Sequence, residues 1–312
     1  MRCTLLAALT LGLAACIAED AAETASSAAQ EAGALTRRVF DAAERATSEF
    51  AESYSSGATA EPAVTGEPQQ VNTVFIEEMT WTEIRDAIDA GMTTVILPTA
   101  GTEQNGPHMV MGKHRYIIEE ASDRIARELG NALVAPAVTY VPEGEVDPPS
   151  GHMRYAGTIT LPNEFFMKLV EYAARSFRAH GFTDIVFIGD SGGNQRGMEA
   201  VAAQLNDEWD GDGATVHFIG DYYANNGFRD WLLEQGETDE TIGRHAGISD
   251  TSILLYTDPQ HIRQDQLAPG GGFEDSGVSG DPTRASAEYG RVGMEMRVDA
   301  AVRQIRAATG SM

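Results

Sequence analysis

The chain is poor in cysteine. Its 312 residues include two, Cys3 and Cys16, both within the first sixteen positions. Nothing beyond them can form a disulfide or a thiolate metal site. A domain without disulfides must rely on its apolar core, and ~240 residues are enough to build one. Basic residues are also scarce. Lys and Arg total 22 against 47 Asp and Glu, for a formal net charge of −25. Such a surface repels phosphates, which excludes a nucleic-acid-binding role. Long apolar runs are missing too. Leu5 to Leu13 is the longest near the start, and it is too short to span a bilayer. No internal repeat is present.

The first seventy residues read as targeting and tether. Met1-Arg2, the Leu5–Leu13 run and Leu13-Ala14-Ala15-Cys16 form a signal peptide ending in a lipobox, with Cys16 as the lipidated mature N-terminus. The expectation is an exported cell-envelope lipoprotein. Ile17, not Asp, follows the cysteine, which points to the outer membrane, facing the periplasm. The lipid would be the only membrane attachment. Residues 17–70 are rich in Ala, Glu, Ser and Thr, as in a spacer. Leu35, Val39, Phe40, Ala43, Phe50 and Tyr54 fall on one helical stripe within it. Pro62 and Gly66-Glu67-Pro68 close the tether, and the folded domain spans 71–312.

From Val71 the pattern alternates between strand and helix. A helix is expected within Ile76–Ala90, capped around Thr80–Glu83, with others over Arg115–Leu129, Asn163–His180 and from Gly189–Asn194 to about Trp209. Strands are expected at Val95–Leu97, Ala132–Val141 (interrupted by Pro136), Thr183–Ile188, Ala214–Ile219 and Ile253–Tyr256. Asp281-Pro282-Thr283 opens a C-terminal helix. Strands separated by helices imply a largely parallel sheet covered on both faces. The long loop Pro142–Thr158, carrying His152 and Tyr155, is a candidate functional segment.

Ligand-type side chains concentrate where the first apolar strand ends. After Val95–Leu97 come Glu103, Asn105, His108 and His114. Open α/β sheets build sites at such strand ends, and carboxylate with imidazole suits zinc, manganese or iron. Gly189-Asp190-Ser191-Gly192-Gly193 matches the nucleophile motif of chymotrypsin-like proteases. It sits between a buried strand and a helix, without the all-β, disulfide-bearing context that motif requires. Ile188-Gly189-Asp190-Ser191, with Asp258-Pro259-Gln260-His261, is also similar to SGNH esterases, which leaves Ser191 as an alternative nucleophile. Read structurally, Asp190 and Ser191 are helix caps.

Four motifs in order resemble the creatininase (creatinine amidohydrolase) family. The first is Gly101-Thr102-Glu103-Gln104-Asn105-Gly106-Pro107-His108 with Gly112-Lys113-His114, against a family pattern of Gly-Ser/Thr-Glu-Gln-His-Gly-Pro-His and then Gly-Thr-Asp. The second is Gly151-His152-Met153-Arg154-Tyr155-Ala156-Gly157-Thr158-Ile159. The third is Gly189–Asn194, at the place of Asn-Gly-His-Gly-Gly-Asn. The fourth is His245-Ala246-Gly247-Ile248-Ser249-Asp250-Thr251-Ser252, similar to His-Ala-Gly-x-x-Glu-Thr-Ser. The match covers about Val71 to Ala308.

The resemblance implies a three-layer α/β/α sandwich and hydrolysis of an amide or cyclic amide C–N bond in a small molecule by a metal-activated water. It also implies assembly as a homo-oligomer. The ligand positions depart from the pattern. Glu103 keeps the first ligand, but Asn105 replaces a histidine, His114 replaces the aspartate that bridges two metals, Ser191 replaces a histidine and Gly193 a carboxylate. The expected metal set is therefore Glu103, His114, Asp190 and Asp250, holding one zinc, manganese or iron ion per chain. His245, with Glu103, carries acid/base work. Asn105, His108, His152 and Ser191 are expected at the substrate. The same losses support a second expectation, a catalytically inactive small-molecule-binding protein on this fold.

Overall fold

Four parallel strands run through the centre of the chain, in the order β2-β1-β3-β4. The computed structural model describes residues 72–310. The expectations for Cys16, the tether and its apolar stripe fall outside that range. The strands are β1 (Thr94–Thr99), β2 (Ala132–Val134), β3 (Asp184–Gly189) and β4 (Thr215–Phe218). In register, Val95 pairs with Leu133 and Ile185, and Ile185 with Val216.

Alternation along the strands divides the core in two. Val95, Leu97, Ile185 and Phe187 face a cluster with Phe166, Val170, Val201 and Leu205. These belong to α3 (Asn163–Ala179) and α4 (Gln195–Trp209), with α1 (Trp81–Asp89) alongside. Ile96, Val186 and Ile188 face the opposite way, onto α2 (Lys113–Leu129), α7 (Ile248–Thr257) and α9 (Ala287–Thr309). Shorter helices α5 (Phe228–Glu234), α6 (Asp239–Ile242) and α8 (Phe273–Ser276) connect these elements. Both faces of the sheet are covered, so strand residues are apolar on both sides, and the α/β/α sandwich stands. Each fully buried side chain such as Ile96 or Phe187 contributes about 1.5–3 kcal/mol. Among the described residues no helix is long and apolar enough to cross a membrane.

Several boundaries differ from expectation. Ile253–Tyr256 is helical, inside α7. A four-residue apolar run fits a buried helix as well as a strand, and here its partner is α9. The strand expected over Ala132–Val141 ends at Val134, ahead of Pro136, which lacks a ladder donor. Val138 returns only through an isolated bridge to Thr99. The C-terminal helix starts at Ala287, where the Ser286 hydroxyl accepts from Tyr289 N–H, and Pro282–Arg284 is a separate turn. The capping box at Thr80 and Glu83 forms as expected. Most consequential is α2, which starts at Lys113 instead of Arg115. Lys113 and His114 thus lie on its first turn, both buried.

Candidate active site

The sheet order reverses between β1 and β3. Loops leaving the carboxyl ends of these strands diverge there and open a crevice. Residues 100–112 follow β1 and residues 190–194 follow β3. The first loop is folded on itself. Glu103 N–H donates to Met111 O at 3.2 Å, and Asn105 Nδ2 donates to Glu103 O at 2.8 Å. In the second, Asp190 N–H donates to Thr99 O at 3.0 Å. Between them lies a cavity of about 1070 Å³, lined by Glu103, His114, His152, Asp190, Ser191, His245 and Asp250 among others. Asn105 and His108 are fully buried and are not part of its wall. Asn105 braces the loop, and His108 Nε2 lies 3.0 Å from Thr251 Oγ1.

His114 is the bridge of the site. Its Nε2 is 2.7 Å from Glu103 Oε1, and its Nδ1 is 2.7 Å from Asp190 Oδ2. A neutral imidazole carries one N–H, so two carboxylate partners hold His114 as the imidazolium. Burial and Lys113 oppose that charge, but Glu103 and Asp190 prevail and raise its pKa. Burial likewise opposes ionisation of Glu103, yet His114 and Lys113 hold its carboxyl well below the usual range. Asp190 also accepts from Arg297 Nη1 at 2.5 Å and from the Tyr222 hydroxyl at 3.3 Å. Both of these partners are buried.

Three groups that the sequence motifs do not single out complete the site. Lys113 Nζ lies 3.2 Å from Asp250 Oδ2 and 4.0 Å from Glu103 Oε1. Burial would raise the Asp250 carboxyl, but Lys113 and His245 hold it far below its ordinary value. Glu143, from the long loop, accepts from Ser191 Oγ at 3.2 Å. Burial, followed by the hydrogen bond and charge of Glu103, pushes Glu143 up to about 10, so Glu143 stays protonated near neutrality. Gly101 makes room for it, since a Cβ there would lie 2.1 Å from Glu143 Oε1. Arg297 on α9 is the third. Its only sign in the sequence is that it falls on the same helical stripe as Met294, Val298, Ala301 and Ile305.

His152 and His245 also approach Glu103. Glu103, His152 and His245 bring one ligand-type atom each within 4.8 Å of one another. His245 Nε2 donates to Gln104 O at 2.8 Å, which leaves the Nδ1 lone pair facing Glu103 Oε1 at 3.6 Å. Burial and then Lys113 lower His245 to about 4, so no proton fills that gap near neutrality. Two lone-pair donors facing each other suit a cation, and the carbonyl behind His245 fixes the tautomer that ligation needs. His152 Nε2 is 3.3 Å from Glu103 Oε2. The Gln104 amide, held by Gly106 N–H and Gly277 O, lies 3.3 Å from His152 Nδ1 and keeps the His152 proton on Nε2. Glu103 and His245 therefore fit a metal as they stand, whereas His152 Nε2 joins only when the Gln104 amide releases Nδ1 and the ring proton moves there.

The expected set of Glu103, His114, Asp190 and Asp250 is gathered around one cavity but does not form one ligand cluster. Both nitrogens of His114 are taken by carboxylates, and Asp250 faces Lys113. Among the described residues, the cluster with metal-site spacing is Glu103, His152 and His245. Ser191 hydrogen-bonds to Glu143, while His261 pairs with Asp258 at 2.8 Å and stacks on Tyr116. No Ser–His pair of the esterase type is assembled by these contacts.

The creatininase (creatinine amidohydrolase) family profile matches residues 77–305. A mycofactocin precursor peptide peptidase of Mycobacterium tuberculosis is 28% identical over 239 residues, covering 68% of this chain and 84% of that protein. A creatinine amidohydrolase of Pseudomonas putida is 25% identical over 212 residues, covering 62% and 75% respectively. Among solved structures, a manganese creatininase superposes with a TM-score of 0.62 at 23% identity, over 76% of this chain and 98% of its own.

Proposed function

The chain belongs to the creatininase family, and on that premise we propose that it is a metal-dependent hydrolase of an amide or cyclic amide C–N bond. The observation that carries this reading is the convergence of Glu103, His152 and His245 on one wall of the cavity. A carboxylate with two imidazoles suits one zinc or manganese ion, and iron is compatible. Such an ion supplies Lewis acidity and lowers the pKa of bound water.

The chain's own residues do the rest. His245, fixed by Gln104 O, presents Nδ1 to the reacting centre. Glu143 lines the cavity, holds a proton and can deliver it to the leaving nitrogen, the step an amide most needs. Ser191 orients Glu143 by donating to Oε1. Arg297 holds Asp190 and His114 holds Glu103 in place. We further propose that this chemistry takes place outside the cytoplasm, on a chain anchored through Cys16 and assembled as a homo-oligomer.

A peptide C–N bond is a second substrate class. Two observations favour it: the peptidase relative and a cavity of about 1070 Å³, just above the usual range of small-molecule sites. The test is turnover of a panel of cyclic amides, linear amides and short peptides by the full chain. Activity abolished by chelation and restored by zinc or manganese supports the reading. Ligand binding without turnover, with or without metal, replaces it with a binding protein on the family fold.

A further inference from the structure

The chain has two lysines, and one of them is at the centre of this site. Lys113 is 1% exposed. An ammonium that has left water must be compensated by nearby anions, and the surroundings of Lys113 provide them. Asp250 Oδ2 is 3.2 Å from Nζ and Glu103 Oε1 is 4.0 Å away. Asp250 is held for this contact. Its Oδ2 also accepts from Ala246 N–H at 2.8 Å, and Ala246 takes a φ of +54°, a left-handed conformation costly for a residue with a Cβ. The backbone is strained where the carboxylate is aimed at the lysine.

The neighbouring residue reverses the charge of the motif. Where the family pattern has an aspartate bridging two cations, His114 spans two carboxylates, and neither of its nitrogens is left for a metal. The third motif closes another route. A Cβ at Gly193 would lie 2.1 Å from Pro142 O, so no ligand side chain fits there.

We propose that Lys113 is a built-in cation that stands in for a second metal ion between Asp250 and Glu103, its anionic partners. It acts as a positioning residue, and it limits the centre to the single ion offered by Glu103, His152 and His245. The inference rests on the metal-dependent reading above, but it concerns the number of ions and not whether turnover occurs.

The test is elemental analysis and calorimetric titration with Zn²⁺ and Mn²⁺ of the full chain, Lys113→Met and Lys113→Arg. Lys113→Met is expected to take up one ion more per chain than the parent, and Lys113→Arg the same number as the parent. Adding Asp250→Asn to Lys113→Met removes the extra ion. If Lys113→Met folds only when zinc is present, as followed by circular dichroism, the metal has replaced the ammonium and the proposal stands. Equal ion counts in the parent and Lys113→Met overturn it, as does a Lys113→Met chain that zinc cannot restore. A parent that binds no ion contradicts the metal-dependent reading instead, and the gain in Lys113→Met still decides the role of Lys113.

Discussion

His114 Nε2 lies 2.7 Å from Glu103 Oε1, and the other ring nitrogen is equally close to Asp190. The imidazolium neutralises two buried carboxylates at once. Removing it leaves both uncompensated, which typically costs about 3–5 kcal/mol. His114→Ala is expected to lose stability of that order in urea denaturation at pH 6. The pH dependence has a defined sign. The folded pKa of His114 is raised, so its contribution is complete below the ordinary value of 6.5 and disappears as pH rises through the folded value. The parent-minus-variant difference should therefore shrink on the alkaline side.

His108 behaves oppositely. Burial, only partly offset by Asp250, lowers it from 6.5 to about 4. The unfolded chain takes up the proton first as pH falls, so stability present above pH 6.5 is lost between there and about 4. The loss attributable to this residue is at most about 3 kcal/mol. Denaturation of His108→Gln at pH 7 and pH 4.5 should show a flatter decline than the parent.

Glu143 has a raised pKa for which Gln is an isosteric stand-in. Ionising the acid in the unfolded chain while it stays protonated in the fold costs stability as pH rises above 4.5. Glu143→Gln should thus gain stability relative to the parent at pH 8 more than at pH 5. Its kcat should fall by about 10²–10⁴-fold, the usual worth of a positioned acid. Unchanged kcat would remove Glu143 from the proton-donor role.

Arg297 and Asp190 form a buried pair at 2.5 Å. Arg297→Met alone should destabilise by about 3–5 kcal/mol, and Arg297→Met with Asp190→Asn by clearly less. A double-mutant cycle measures the coupling, and additive losses would show that the pair is not acting as one.

The parts of this molecule legible in the sequence are those with periodicity or turn chemistry. Strands β1 and β3, helices α3 and α4 and the Thr80 capping box follow from local pattern. The Ile253–Tyr256 run did not, because a short apolar segment is decided by its partner, here α9. Within the site, Glu103, His114, His152, Asp190, Ser191, His245 and Asp250 do reach one cavity. Their pairings were not legible, because they depend on groups to which the motifs assign no ligand role. Glu143 arrives from a loop 40 residues downstream of Glu103, admitted by glycines that lack a Cβ. Lys113 reads as a loop residue until helix α2 is seen to start on it.

Elemental analysis of the full chain, purified without chelator beside Glu103→Ala, decides whether this cavity holds a metal centre. About one zinc or manganese ion per chain is expected in the parent, and its loss in the variant. A parent with no bound ion, or a variant that keeps the parent's ion, would contradict that expectation.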